Sequence, residues 1–296
     1  MSLKDRSIIT LLTLLAKLPL RFNRRLGVLV GDCLWFSRSR SRKVTEKNLQ
    51  LCMPHLPATE RTALARRSLQ EFGKTTTEMG AVWLWPAART MALIQRVHGR
   101  ELLEHSIDQQ HGVIVLAPHI GNWEVLGLFL GNGYAFTALY QPPKSTALDA
   151  LILRARGRNG TQLAPTNRRG VMALLKALQR GEVVGILPDQ VPAPESGLFA
   201  PYFGVPALTM TLVSSLLKKT NARVVCAYAK RLPHGGFDIF FEPADESIYD
   251  EDATCSLQGL NRSIETCVRK LPEQNQWEYK RFKKRPEGEE PVYKFS

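Results

Sequence analysis

The sequence lacks a long apolar run near its start. The uncharged stretch from Ser7 to Ala16 is ended by Lys17 and Pro19, well short of the roughly 20 residues a spanning helix needs. The five cysteines, Cys33, Cys52, Cys226, Cys255 and Cys267, are odd in number and form no C-x-x-C pair. That argues against a disulfide framework, and they read as reduced thiols in a reducing compartment. Clusters of histidine and cysteine at metal-ligand spacing are missing, so no metal site is expected. There is no zinc-finger spacing, RNP-like aromatic pattern or helix-turn-helix signature, which disfavours nucleic acid as a partner. Internal repeats and low-complexity tracts are absent. Acidic residues are scarce too: 27 stand against 40 basic ones, a formal net charge of +13.

What is present begins with where that charge lies. Residues 1–47 carry eleven basic residues (Lys4, Arg6, Lys17, Arg21, Arg24, Arg25, Arg38, Arg40, Arg42, Lys43 and Lys47) against Asp5, Asp32 and Glu46, which is +8 of the +13. An even solubilising coat would be spread along the chain, so the excess marks a local surface for an acidic partner. In the first apolar stretch Ser7, Thr10, Thr13 and Lys17 fall on one narrow helical stripe, with leucines and isoleucines around the rest. A second apolar run, Leu26–Phe36, is interrupted by Asp32. The reading is an interfacial amphipathic helix with basic flanks on anionic lipid. Its competitors are a signal peptide, for which no small-residue cleavage site follows, a core helix packed on the main domain, and a single spanning helix.

Farther along, 44–53 and 59–85 read as helices, with turns at Pro54 and Pro57 and a stop at Pro86. Helices are also expected at 100–109, 126–130, 146–156, 167–180, 209–219 and 254–270. Strands are expected at 113–117, 134–140, 183–187, 223–229 and, more weakly alternating, 237–242. Elements alternate and the strands at 113–117 and 183–187 are continuously apolar. The class is therefore α/β with a mainly parallel, buried sheet flanked by helices. No linker separates 87 from 296.

The chemistry centres on Ala117-Pro-His-Ile-Gly-Asn-Trp-Glu124, directly after a buried strand. Ligand sites in open α/β sheets form beyond the carboxyl ends of strands. A histidine there with a carboxylate five residues on can be a base held by an acid: the imidazole takes a proton from an alcohol, and the carboxylate fixes its tautomer. The pair can meet only if His119 sits in the loop and Glu124 in the first helical turn. The bare spacing recurs at His55 and Glu60, but Met53-Pro-His-Leu-Pro is a turn between helices, and that copy reads as structural. A histidine that merely caps or fills the core is the alternative for His119.

Residues 115–124 resemble the His-x4-Asp/Glu box of the lysophospholipid-type acyltransferases, and most closely the lipid A biosynthesis lauroyl/myristoyl acyltransferase branch. Further stretches resemble that branch in the same order: Glu46–Pro54, Arg154–Gly160, Gly181–Gln190, Phe199–Gly204 with Thr209, and Trp277–Gly288. The resemblance runs from about residue 40 to residue 288. It implies acyl transfer from an acyl carrier protein thioester to the hydroxyl of a 3-hydroxyacyl chain on a lipid A precursor, with a hydrocarbon groove for the donor chain. It places such an enzyme on the cytoplasmic face of the bacterial inner membrane, against anionic lipids.

By motif position the resemblance makes His119 and Glu124 the catalytic pair. It makes Arg156 the family's arginine, with Arg158 beside it, and Asp189 and Gln190 part of a "PDQ" box. It sets Phe203 and Gly204 in a loop bordering the substrate groove. Two departures are Tyr140-Gln-Pro142, where the family often has Tyr-Arg-Pro, and Tyr202-Phe-Gly204 in the aromatic loop. From the residues alone, Arg156 and Arg158 could hold phosphate in their fork or form a solvated basic face. Asp189 could cap, pair an arginine or take part directly. Trp123 reads as core. Such a transfer needs a base and oxyanion donors, and no metal or cofactor is expected beyond the acyl carrier protein co-substrate. The expected division is a membrane-associating helical segment at 1–43 and an acyltransferase domain at 44–296. Competing readings are an acyltransferase for another lysolipid or amino-acid lipid, and a non-catalytic basic peripheral membrane-binding protein.

Overall fold

A computed structural model describes residues 2–295. The chain opens on helices α1 (Leu3–Lys17), α2 (Leu20–Phe36), α3 (Arg40–Cys52) and α4 (Ala58–Leu84). Ser2 and Asp5 form a capping box on α1, and Ser39 caps α3. Helices α2 and α4 touch backbone to backbone at glycines. A Cβ on Gly27 would lie 2.4 Å from Lys74 Cα, and one on Gly73 would lie 2.0 Å from the Gly27 carbonyl oxygen. Only glycine permits that approach.

Helix α1 packs Leu12 and Leu15 against α4 and leaves Leu3, Leu11 and Leu14 exposed. Helix α2 exposes Phe22, Leu29, Val30 and Phe36. Asp32 pairs with Arg66 of α4 at 2.9 Å. The expected basic surface loses one member: Arg24 is buried and ion-paired to Glu78 at 2.6 Å. Among the described residues no helix is long and apolar enough to cross a membrane.

After α5 (Ala87–Met91) the chain alternates β1 (Ile94–His98), α6 (Arg100–Asp108), β2 (Val113–Leu116), α7 (Trp123–Gly133), β3 (Phe136–Tyr140), α8 (Thr146–Gly157), β4 (Gln162–Pro165), α9 (Arg168–Gln179) and β5 (Val183–Ile186). A hairpin of β6 (Gly197–Tyr202) and β7 (Val205–Met210) follows, then α10 (Leu212–Leu217), β8 (Arg223–Arg231), β9 (Phe237–Pro243) and α11 (Ala253–Lys270). The main sheet has seven strands in the order β1-β9-β8-β2-β5-β3-β4, parallel except for the β8–β9 pair. The α/β class, with a mostly parallel sheet flanked by helices, is as the sequence leads one to expect.

Alternate residues of the central strands feed two cores. Ile114, Leu116, Val184 and Ile186 join Leu174 of α9 and Ile264 of α11 on one face. Val113, Val115 and Val183 join Leu103 of α6 and Leu126 of α7 on the other. All five cysteines are free.

Some elements differ from expectation. Strands β1 and β4 lie at the two sheet edges and carry Gln95, Arg96, Gln162 and Pro165, so no buried apolar run announces them. Strands β6 and β7 contain Pro201 and Pro206, which face each other across the hairpin. Thr209 was expected to open a helix. It lies in β7, and the helix begins at Leu212.

Candidate active site

Strands β2 and β5 run side by side in parallel, with Leu116 in register with Ile186. Three residues beyond these positions stand His119 and Asp189, after Ala117-Pro118 and Leu187-Pro188 respectively. The equal offset brings the two side chains together at the carboxyl edge of the sheet. The His119 N–H donates to Asp189 Oδ2 at 2.7 Å, and the ring Nδ1 lies 2.8 Å from Oδ1. A carboxylate only accepts, so Nδ1 carries the hydrogen and Nε2 keeps its lone pair. The Gln190 amide, 3.3 Å from Nε2, is placed to donate to that lone pair. Gln190 also donates to Gln276 Oε1 at 3.1 Å, and the Gln276 N–H donates to the His119 carbonyl at 3.1 Å. The ring meets Trp123 edge-on, with centroids 4.7 Å apart.

The turn after His119 is bolted at each residue. Gly121 adopts φ +64°, and a Cβ there would lie 1.9 Å from the Ala229 carbonyl oxygen. Its N–H donates to the Gln274 carbonyl, and the Asn122 N–H to the Ala229 carbonyl, both at 2.9 Å. Asn122 caps α7 by accepting from the Val125 N–H at 3.2 Å. Glu124 therefore falls in the first turn of α7, as the spacing required.

Glu124 does not hydrogen-bond His119. Its carboxylate takes a bidentate fork from Arg156, with Nε–Oε2 at 3.0 Å and Nη2–Oε1 at 2.6 Å. The carboxylate that fixes the imidazole tautomer is Asp189. Helix α8 ends just past Arg156, and β3 between the two helices brings it across α7, so sequence distance hid this pair. Burial works against both carboxylates as anions. The His119 ring and N–H hold the Asp189 carboxyl below its usual range all the same, and Arg156 does so for Glu124. Burial likewise disfavours the Arg156 cation, but Glu124 outweighs it and raises its pKa.

Beside Glu124 and Arg156 lies an apolar cavity, open to solvent, between α4, α7, α8 and the sheet. Val82, Trp83, Leu126, Phe136, Leu139 and Leu187 supply apolar wall, while Glu124, Arg156 and Trp123 border it. The other expected site residues are placed as follows. Arg158 donates to the Val82 and Trp83 carbonyls at 2.6 and 2.7 Å, closing the C-terminus of α4, so neither arginine fork is free for a phosphate. Phe203 and Gly204, both at positive φ, make the turn of the β6–β7 hairpin, where the Phe203 N–H donates to Glu265 at 2.7 Å. They are not part of this cavity wall. Trp123 is half-buried against His119 rather than wholly in the core. Gln141 pairs with Thr166. His55 and Glu60 are exposed at the start of α4. Sequence reasoning missed Trp83, Glu78 and the 274–276 segment. The last lies immediately before Trp277–Gly288, the C-terminal stretch that carries the resemblance.

His119 has a fixed tautomer and meets Trp123, which borders the apolar cavity, an arrangement that suits proton transfer from the hydroxyl of a lipid. The family model for bacterial lipid A biosynthesis acyltransferases matches residues 6–284, and the chain belongs to that family. It is 30% identical to the lipid A biosynthesis lauroyltransferase of Escherichia coli K12 over 282 residues, 95% of this chain and 91% of that protein. It is 28% identical to the palmitoleoyltransferase of the same organism over 270 residues, 90% and 87% of the two chains. A lipid A biosynthesis acyltransferase of Haemophilus influenzae is 25% identical over 255 residues, covering 85% and 80%.

Proposed function

We propose that this acyltransferase moves a fatty acyl chain from acyl carrier protein to the 3-hydroxyl of an acyl chain already on a lipid A precursor. The observation that carries the reading is the His119–Asp189 pair, whose imidazole meets Trp123 on the border of an apolar cavity. The acceptor hydroxyl displaces the Gln190 amide from His119 Nε2 and gives up its proton there as its oxygen attacks the thioester carbonyl. Asp189 stabilises the imidazolium that forms. The tetrahedral intermediate collapses, the C–S bond breaks, and the proton passes from His119 to the departing thiolate. Oxygen–acyl bond, thiol and neutral histidine result, with no redox step and no cofactor.

Glu124 has a second role in this scheme. Locked to Arg156, it sets a charged border between the reacting groups and the apolar cavity, which takes the acyl chain. Substrate phosphates then fall to cations without an ion-pair partner among the described residues. Lys144, exposed on the loop after β3, and Arg168 and Arg169, exposed in the first turn of α9 after β4, lie at the same edge of the sheet. Acyl carrier protein is acidic and the same surface suits it.

The exposed leucines of α1 and the apolar side chains of α2, with Lys4, Arg6, Lys17, Arg21 and Arg25 among them, form the surface that rests on anionic lipid at the cytoplasmic face of the inner membrane. The test is acyl transfer by purified protein with acyl-carrier thioester and either a lipid A precursor or a lysophospholipid as acceptor. Turnover with the first, lost in His119→Ala, supports the proposal. Turnover with the second alone would make this an acyltransferase of another lipid.

A further inference from the structure

A second cluster of buried charge stands behind the catalytic turn, on the side away from Asp189. Glu78 of α4 is fully buried, yet it is held as an anion: burial opposes its charge, and Arg231 and Arg24 more than offset that. It accepts from Arg24 Nε at 2.6 Å and from Arg231 Nε and Nη2 at 2.9 and 2.8 Å. Its remaining donor is the Asn122 side-chain amide at 2.9 Å. Asn122 lies between His119 and Glu124, and its oxygen caps the helix carrying Glu124. Arg24 also donates to the Leu232 and Gly236 carbonyls at 2.8 and 3.0 Å, so α2 is joined to the end of β8 and to the turn that follows. Arg231 reaches on to Glu71 at 2.7 Å. Two guanidinium groups and the Lys74 ammonium, 2.5 Å from Glu71, face two carboxylates, and every acceptor position of Glu78 faces a donor.

We propose that Glu78 is a positioning residue for acyl transfer. Through Asn122 it fixes the turn presenting His119 and Glu124, and through Arg24 it makes the N-terminal helix α2 part of the catalytic support. A buried ion cluster is weak evidence of a stabilising purpose, because apolar residues of the same volume often stabilise as well or better. What an apolar replacement cannot supply is a fixed acceptor for the Asn122 amide. The inference rests on His119 as the base. It concerns how that base is held rather than which lipid is acylated.

The test is Asn122→Asp in the full-length protein. Aspartate caps a helix as well as asparagine does, so a residue that only caps α7 would tolerate the change. The substitution would instead set a second carboxylate against Glu78. Displacement of the turn by about 1 Å costs on the order of 10²-fold in rate, and kcat is expected to fall about 10- to 100-fold with KM little changed. The double variant Asn122→Asp/Glu78→Gln removes the repulsion between the two carboxylates, although the new amide nitrogen at position 78 then meets Arg231 Nη2 where Oε2 stood, and is expected to recover part of the loss.

If Asn122→Asp keeps kcat within about twofold of wild type, the proposal is wrong. It is equally wrong if the folded double variant recovers nothing, because the loss then comes from charge at position 122 and not from the contact. Should the double variant fail to fold, Arg24→Met decides: it must lower kcat below its thermal transition, and an unchanged kcat overturns the role of α2. His119→Ala run alongside separates the two levels. Full turnover by that variant would refute the base itself, whatever happens at Asn122.

Discussion

Replacing Asp189 by asparagine leaves the shape of the site intact and changes one atom's chemistry. In the wild type both carboxylate oxygens accept from the same residue, the backbone N–H at 2.7 Å and Nδ1 at 2.8 Å. Asparagine has one oxygen. If that oxygen keeps the backbone N–H, the amide nitrogen faces Nδ1 and draws the ring into the opposite tautomer, with hydrogen on Nε2 and no lone pair for the acceptor hydroxyl. The backbone bond survives, so the loss is one charge-assisted hydrogen bond at about 1.5–3 kcal/mol. At about 1.36 kcal/mol per tenfold, this corresponds to roughly 10- to 10²-fold in rate. The assay is steady-state transfer under saturating acceptor, with KM followed separately, since the change should act on kcat.

The same variant has a signature in stability. The Asp189 pKa is depressed in the folded protein, so its contribution is present above the unfolded-state pKa and is lost as pH falls through the folded one. Asparagine should flatten the acid side of the stability profile. A folded Asp189→Asn protein with near-normal kcat would refute the assignment of Asp189 as the residue that orients the base.

Glu124→Gln breaks the bidentate fork to Arg156 and leaves a half-buried guanidinium short of its acceptor. Stability should fall by about 1–3 kcal/mol in urea unfolding, and kcat should fall less than in Asp189→Asn, because Glu124 does not touch the imidazole. Glu60→Gln, at an exposed helix start, should leave both unchanged. Leu11→Asp with Leu14→Asp removes exposed apolar surface from α1 without touching Leu12 or Leu15. Binding to anionic vesicles in a flotation assay should drop while unfolding is unaltered, and unchanged binding would place the contact elsewhere. Burial pushes the Glu278 carboxyl up to about 8, and neither of its oxygens has a hydrogen-bond partner among the described residues. A raised carboxyl pKa means stability that is full below the unfolded value and lost as pH rises through the folded one. Glu278→Gln should therefore stabilise at pH 9 relative to pH 5, by on the order of 3 kcal/mol, measured by denaturant titration at both values.

Much of the sheet's centre is legible in the sequence because β2 and β5 are buried on both faces and read as continuous apolar runs. The edges are not, because β1 and β4 face solvent and carry polar residues or proline like any loop. The same division holds in the site. His119 is recognisable from its place after a strand, and Glu124 from the turn that must bring it into a helix. Which carboxylate touches the imidazole depends on which strands lie side by side. That β2 neighbours β5, with Leu116 opposite Ile186, is a property of sheet order that no local spacing encodes. Its only trace is that Pro-His and Pro-Asp follow two buried strands at the same offset. Arg158 shows the converse: two nearby arginines look alike in sequence, yet one is locked to Glu124 and the other to the end of α4. Arg24 belongs by position to the basic N-terminal surface, and only the glycine contacts of α2 with α4 carry it inward to Glu78.

The central claim is transfer of one fatty acyl chain to lipid A with His119 as the base. Mass spectrometry of lipid A from cells of the source bacterium with and without the gene tests it most directly. Loss of the gene should remove a single fixed acyl mass from lipid A. Wild-type protein supplied in trans should restore that mass, and His119→Ala expressed to the same level should not. An unchanged lipid A profile, or full restoration by His119→Ala, would contradict the account.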